Sequence, residues 1–130
     1  DTFTLRVGQQ KQVVRIEGID APEYGQPGGE AARDHLRGLI LYRTVTVSTT
    51  KRDPYGRHVA AVYRDKWDIG EAMIAAGHAW MFRRFEKELP PRRAQTYNAA
   101  ELRAKQDKRG LWRSPDPLPP WAWRKQHREP

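Results

Sequence analysis

Two short segments carry side chains of the types that bind metal ions and phosphate. Arg15, Asp20 and Glu23 lie within nine residues of one another, directly after an apolar run. Residues 53–57 read Asp-Pro-Tyr-Gly-Arg and place another arginine at the exit of a tight turn. A guanidinium forms paired hydrogen bonds to phosphate oxygens, and clustered carboxylates are relieved by a hard cation such as Ca2+ or Mg2+. The two segments therefore hold the parts of a metal-and-phosphate site.

The same residues also have a purely structural interpretation. Asp20 can form an Asx turn before Ala21-Pro22, and surface arginines are common in a chain with 31% charged residues. Arg15 and Asp20 are five residues apart, so in a regular strand they face opposite sides. Gly18 makes a break in this alternation possible. The residues alone leave both interpretations open.

The composition limits the class of binding partner and the kinds of catalytic side chain. With 24 Lys and Arg against 16 Asp and Glu, the 130 residues carry a formal charge of +8, which favours a polyanionic partner such as nucleic acid. The absence of cysteine excludes thiol nucleophiles, disulfides and cysteine zinc sites.

No apolar run is long enough for a membrane span, and no Gly-rich phosphate loop, serine-hydrolase elbow or zinc-protease motif occurs. The histidines show no metal-ligand spacing and lie in four predicted elements: His35, His58, His78 and His127.

The hydrophobic pattern predicts one domain of mixed strands and helices. Strands are predicted at residues 2–5, 11–19, 44–48 and 57–63, and helices at 30–41, 69–76 and 91–108, the last ending before Gly110. Asp68 followed by Glu71 has the form of a helix cap, so Glu71 is interpreted as a cap rather than a catalyst. Residues 114–130 contain five prolines and two tryptophans, which predicts an extended strap whose Trp121 and Trp123 pack on the domain.

Residues 80–85 interleave aromatic side chains with arginines. This pattern is typical of a surface that stacks a base and holds a phosphate, although a strand with core aromatics has the same composition. Arg83, Arg84 and Phe85 come last in the run and are expected to be the exposed members.

Segments 15–23 and 53–57, together with the distance from Asp1-Thr2 to Arg15, resemble the staphylococcal nuclease (thermonuclease) family. Residues 15–23 are similar to its Arg-x4-Asp-Thr-Pro-Glu segment, and residues 53–57 to its Asp-x-Tyr-Gly-Arg turn. The resemblance runs from about residue 1 to 112, through the Gly77 region and Gly110-Leu111-Trp112. It implies an α+β fold, an OB-fold barrel with three helices, over residues 1–112, with residues 113–130 as a strap on the same domain.

The resemblance also implies a Ca2+-dependent enzyme that hydrolyses DNA or RNA at the bond between phosphorus and the 5' oxygen. In this family Asp1, Asp20 and the carbonyl of Ala21 match metal ligands, and Glu23 matches the carboxylate that activates or orients water. Arg15 and Arg57 match the arginines that bind the scissile phosphate. Tyr55, Arg83 and Phe85 are the matching candidates for substrate contacts, although Arg83 and Phe85 replace nucleotide-stacking tyrosines.

Several expectations follow from the resemblance. The family's first barrel strand has no counterpart here, so we expect residues upstream of Asp1 in the native protein. A monomer is expected, and the family favours secretion or a bacterial periplasm. The alternative function is a non-catalytic nucleic-acid-binding module of the same fold.

Overall fold

The computed structural model describes residues 1–127 as an α+β domain. The strands are β1 (Thr2–Val7), β2 (Gln10–Ile16), β3 (Ile19–Asp20), β4 (Thr46–Arg52), β5 (His58–Arg64), β6 (Trp67–Asp68) and β7 (Trp80–Met81). The α-helices are α1 (Gly29–Ile40), α2 (Ile69–Ala75), α3 (Pro91–Gln106) and α4 (Pro120–Gln126), and 3-10 turns span Arg83–Glu88 and Gly110–Arg113. No helix within residues 1–127 has the length and apolar character needed to cross a bilayer.

The main sheet has the order β1-β2-β5-β4, with β6 paired to β5. Strands β1 and β2 form a hairpin in which Thr2 lies opposite Arg15, whereas β2 and β5 run parallel. Strands β3 and β7 form a second, two-stranded sheet. Within residues 1–127 the main sheet does not close into a barrel, and β1 and β4 are the two ends of its path.

The helices cover the core side of this sheet. Buried Val14, Ile16 and Val62 from the strands pack with Leu36 of α1 and Met73 of α2 in one hydrophobic cluster. Helix α2 begins as predicted, because the Asp68 side chain accepts a hydrogen bond from the Glu71 backbone N–H. The predicted N-cap at Asp68 is therefore confirmed, and so is the α+β class.

The structure corrects two features of the sequence prediction. The strand predicted through Ile19 ends at Ile16, and the chain turns at Gly18, whose φ is +81°. A larger residue would be strained at this positive φ, and its Cβ would lie 2.9 Å from the end of the Leu89 side chain, which would have to shift. The predicted extended strap contains the helix α4, so the described residues form four α-helices rather than three. Its Pro120 is the first helical residue, where proline is favoured rather than disruptive.

Candidate active site

The turn at Gly18 brings Arg15 and Asp20 together. The Arg15 guanidinium donates to the backbone carbonyls of Ile16 at 2.9 Å and Ile19 at 3.0 Å, on either side of the turn. Its Nη2 lies 3.8 Å from Oδ1 of Asp20, a carboxylate with no exposed surface. Burial lowers the pKa of Arg15 while Asp20 opposes that shift. The break in strand alternation that the site required is therefore present.

Asp1 joins this pair through the β1–β2 hairpin. Its backbone carbonyl accepts from Ile16 N–H at 2.8 Å, which fixes it beside the end of β2. Its Oδ2 accepts from Ala21 N–H at 3.1 Å and lies 3.7 Å from Arg15 Nη2. Asp1 thus lies beside Ala21 and beside the same Arg15 nitrogen that approaches Asp20.

Glu23 is held by the loop that precedes α1. The Gln26 side chain accepts from Glu23 N–H at 2.9 Å and donates to the Leu118 carbonyl at 2.6 Å. Gly29 packs so closely that a Cβ would lie 2.1 Å from the Glu23 carbonyl oxygen. Gln26 is buried and positions Glu23, a role that no pattern in the sequence indicated.

Arg57 is positioned by the turn that connects β4 and β5. Asp53 accepts from the backbone N–H groups of Tyr55 at 3.0 Å and Arg57 at 2.9 Å, and from Arg57 Nε at 2.6 Å. Although burial acts to raise it, the pKa of the Asp53 carboxyl is lowered by these bonds from Arg57. The Arg57 Nη1 also donates to Thr2 Oγ1 at 3.4 Å, beside Asp1. The predicted turn therefore directs Arg57 toward the same site.

Most of these residues line one cleft of about 1650 Å³, whereas the fully buried Asp20 is not part of its wall. Its walls include five of the predicted site residues with an ionisable or phenolic side chain: Asp1, Arg15, Glu23, Tyr55 and Arg57. Phe85 lines the cleft too, with Lys51 Nζ 4.9 Å from its ring centre. The convergence of acids, arginines and an exposed tyrosine in one groove supports a single functional site.

Arg83 does not join the cleft. Its Nη2 forms an ion pair with Glu101 at 2.7 Å, and its Nη1 donates to Asn98, both on α3. Arg84 lines the cleft instead. The predicted substrate contact of Arg83 is corrected accordingly, because the 3-10 turn rotates adjacent side chains to different sides.

An arginine that sequence analysis did not select lies at the centre of the site. Arg124 of α4 donates from Nη1 to Asp20 Oδ1 at 3.1 Å and Glu23 Oε1 at 2.7 Å, and from Nη2 to Asp20 Oδ2 at 2.7 Å. These hydrogen bonds, with that to Asp20 the largest, raise the pKa of Arg124. Asp20 and Arg124 are 104 residues apart, so no local pattern could reveal the contact.

Two of the four histidines meet in space. The His35 and His78 rings lie 4.7 Å apart. Burial lowers the pKa of each, which disfavours the charged form. Within residues 1–127 no group of three or more His, Cys, Asp or Glu side chains is gathered as a metal-binding set.

The donors at the cleft nevertheless fit a hard divalent cation in kind. Asp1 and Asp20 approach the same Arg15 nitrogen within 4 Å, and Asp20 and Glu23 approach the same Arg124 nitrogen. Carboxylate and carbonyl oxygens are the ligands that Ca2+ and Mg2+ prefer. The guanidinia supply the positive charge that the buried Asp20 carboxylate requires.

Comparisons with known proteins relate the chain to nucleases. The family model described as "Staphylococcal nuclease homologue" matches residues 13–114. An "Uncharacterized endonuclease" of Escherichia coli O157:H7 is 37% identical over 129 residues, which cover 95% of this chain and 79% of that protein. A "Micrococcal nuclease" of Shigella flexneri is 35% identical over 134 residues, covering 96% of this chain and 75% of that protein.

A plant relative matches over a smaller share of its own length. The "Probable staphylococcal-like nuclease CAN3" of Oryza sativa subsp. japonica is 38% identical over 119 residues, which cover 92% of this chain and 30% of the plant protein. The family match covers most of the chain, including the 15–23 and 53–57 segments, and the two bacterial relatives each match at least 95% of it. The chain belongs to the staphylococcal nuclease homologue family, and its α+β architecture is the OB-fold type of that family.

Proposed function

We propose that this protein is a Ca2+-dependent nuclease that hydrolyses DNA, RNA or both at the bond between phosphorus and the 5' oxygen. The observation that carries the proposal is the convergence of Asp1, Glu23, Arg15 and Arg57 on one cleft, with the buried Asp20 carboxylate beside Arg15. Family membership and relatives named as nucleases support it. The net charge of +8 favours a polyanionic substrate.

The arginines bind the scissile phosphate and stabilise its developing charge. Arg15 is fixed by two carbonyls and Arg57 by Asp53, so both guanidinia are oriented before substrate arrives. Preorganised donors of this kind stabilise a transition state without a reorganisation cost during the reaction. A planar guanidinium also matches two phosphate oxygens better than an ammonium does.

Glu23 handles the proton of the attacking water. Its carboxylate lies on the cleft wall and is half-exposed, so it can reach a water molecule beside the bound phosphate. General-base assistance of this kind contributes about 10²- to 10⁴-fold to rate. Attack opposite the 5' oxygen breaks the P–O5' bond, which leaves a 3'-phosphate and a 5'-hydroxyl.

Asp1, Asp20 and the Ala21 carbonyl would hold the divalent cation. The cation, when bound, supplies Lewis-acid polarisation of a phosphoryl oxygen. Replacement of threonine by Ala21 preserves this ligand, because the donor is the backbone carbonyl.

The non-catalytic binding module is the alternative function. Such a module needs the basic cleft but not the acids. The presence of Glu23 on the cleft wall, with Asp20 bonded to the same arginine, favours catalysis, because unneeded carboxylates would repel a polyanionic ligand.

The test is a chelator experiment with end analysis. Purified protein is incubated with single-stranded DNA or RNA in Ca2+, in chelator, and in chelator with Ca2+ restored, alongside identically purified Asp20→Asn. We expect cleavage only where Ca2+ is free, fragments with 3'-phosphate and 5'-hydroxyl ends, and no cleavage by the variant. Nucleic-acid binding without cleavage at any Ca2+ concentration would instead establish the binding module.

A further inference from the structure

Helix α4 places a cation on the carboxylates to which the proposed function assigns metal binding and water activation. The Arg124 guanidinium takes both oxygens of Asp20, at 3.1 and 2.7 Å, and one oxygen of Glu23 at 2.7 Å. Asp20 is fully buried, so these are the hydrogen bonds that compensate its lost hydration. Paired charge-assisted bonds to a carboxylate are among the strongest side-chain interactions.

A guanidinium and a divalent cation compete for these oxygens. Both are positive, both need the lone pairs of Asp20, and charges a few ångströms apart in a buried site repel strongly. Binding of one therefore weakens binding of the other by the free energy of the hydrogen bonds and ion pairs that it displaces.

The position of Arg124 is set by packing as well as by charge. The Trp121 ring stacks on Phe82, with a centroid distance of 5.8 Å and an angle of 4° between the planes. It also meets Trp80 edge to face at 6.1 Å. Helix α4 has seven residues, which is too short for independent stability in water, so its docked state depends on these aromatic contacts and on Arg124.

We propose that Arg124 and the divalent cation are alternative partners of Asp20 and Glu23, so that α4 is a latch that cation binding releases. This inference rests on the proposed function, because it takes the same carboxylates as the metal site. It predicts that the chain's own arginine sets the cation concentration at which the site fills.

The direct test measures Ca2+ binding by titration calorimetry at pH 8 in protein without nucleic acid. Arg124→Gln removes the competing charge at similar length, and Lys125→Gln removes one charge from the exposed neighbouring position of the same helix. We expect Arg124→Gln to bind Ca2+ about tenfold tighter than wild type or more, since the hydrogen bonds that Ca2+ must displace in wild type are charge-assisted. Arg124→Lys, which keeps the charge but loses the paired geometry, is expected to lie between them, and Lys125→Gln within about twofold of wild type.

A second readout uses the wild-type chain and does not depend on the folding of a variant. Trp121 lies one helical turn from Arg124, so release of α4 changes its surroundings and its fluorescence. We expect a Ca2+-dependent fluorescence change in wild type that is lost in Trp121→Phe. Calorimetric Ca2+ binding without a Trp121-dependent change overturns the latch, even if Arg124→Gln does not fold.

The outcomes separate the latch from the proposed function. If Arg124→Gln is folded but binds Ca2+ no tighter than Lys125→Gln, while wild type cleaves in a chelator-sensitive manner, the latch alone fails. If neither wild type nor Arg124→Gln binds Ca2+, the latch and the Ca2+ dependence of the proposed function fail together. Binding by Arg124→Gln alone supports the latch directly.

Discussion

Asp20 shows how the site depends on compensated charge. Its carboxylate has no exposed surface and lies between the guanidinia of Arg15 and Arg124. An uncompensated buried carboxylate costs several kcal/mol, so at least one cation must remain beside it in every state of the site. Arg15, held by two backbone carbonyls, fits that permanent role, whereas Arg124 reaches the site from a short helix near the end of the chain.

Arg84 and Arg83 form a matched pair for testing the substrate groove. Arg84 lines the cleft, whereas Arg83 is tied to Glu101. We expect Arg84→Ala to weaken nucleic-acid binding about threefold to tenfold and to reduce the salt dependence of the binding constant by about one phosphate contact. Fluorescence anisotropy with labelled single-stranded DNA over a salt series in chelator measures both quantities.

Arg83→Ala supplies the control, since it removes the same charge one residue away. It should alter the salt slope little. An equal loss of binding in both variants would show that the aromatic-arginine run acts as a diffuse charge rather than through the residue on the cleft.

Site residues that lie within a short sequence motif could be predicted. Site residues whose position depends on tertiary packing could not. Arg15, Asp20, Glu23 and Arg57 lie in short segments whose residue types and order are informative. Gln26 and Arg124 act through interactions with residues that are distant in the chain, at separations of 92 and 104 positions. The substrate contact predicted for Arg83 from the family pattern is not supported, because its guanidinium pairs with Glu101 and Asn98 on α3.

At the scale of elements, a buried polar network joins α3 to the ends of β2 and β6. Arg93 donates to Glu17, to Asp68 at 3.3 Å and to the Tyr97 hydroxyl at 2.7 Å, and Tyr97 donates to Asp68 at 2.6 Å. Burial raises the pKa of Tyr97, and the nearby Asp68 charge raises it further. The Tyr97 hydroxyl therefore stays protonated and serves as a donor. The network thereby fixes the end of β2 from which the Arg15 segment continues.

Arg93→Ala should destabilise the fold strongly. It leaves Glu17 and Asp68 without their cation while both are largely buried, and breaking a buried pair costs about 3 to 5 kcal/mol. Urea unfolding followed by circular dichroism measures the free energy of unfolding. Arg92→Ala, at the exposed preceding position, is expected to change it by less than about 0.5 kcal/mol. Similar losses in both variants would mean that the network contributes no more than ordinary surface charge.

Element types were largely predictable, whereas some boundaries and one helix were not. The cap at Asp68 and the positive φ of +80° at Gly77 enclose α2 as their residue types indicate. Strand β4 continues to Arg52 through polar residues, because backbone pairing with β5 past an irregularity between Thr49 and Lys51 outweighs their composition. The proline content of the strap argued against a helix there, yet α4 forms because Pro120 lies at the one helical position that favours proline.

At the scale of the whole molecule, the fold combines a basic exterior with an acidic centre. The net charge of +8 attracts a polyanion over long range, and the cleft presents arginines beside Asp1 and Glu23. The class of fold and the class of substrate could both be inferred from sequence. The contacts of Arg124 with Asp20 and Glu23 could be found only from the tertiary structure.

The central claim is that this cleft hydrolyses phosphodiesters and that Glu23 accepts the proton of the attacking water. A single-turnover cleavage measurement tests this claim most directly. Excess protein at saturating Ca2+ is mixed with end-labelled single-stranded DNA, comparing wild type, Glu23→Gln and Glu30→Gln, the last removing an exposed carboxylate from the same cleft. We predict a rate about 10² to 10⁴ times lower for Glu23→Gln, with DNA affinity in chelator changed by less than about threefold, and a nearly wild-type rate for Glu30→Gln. A Glu23→Gln rate equal to that of wild type would contradict the claim.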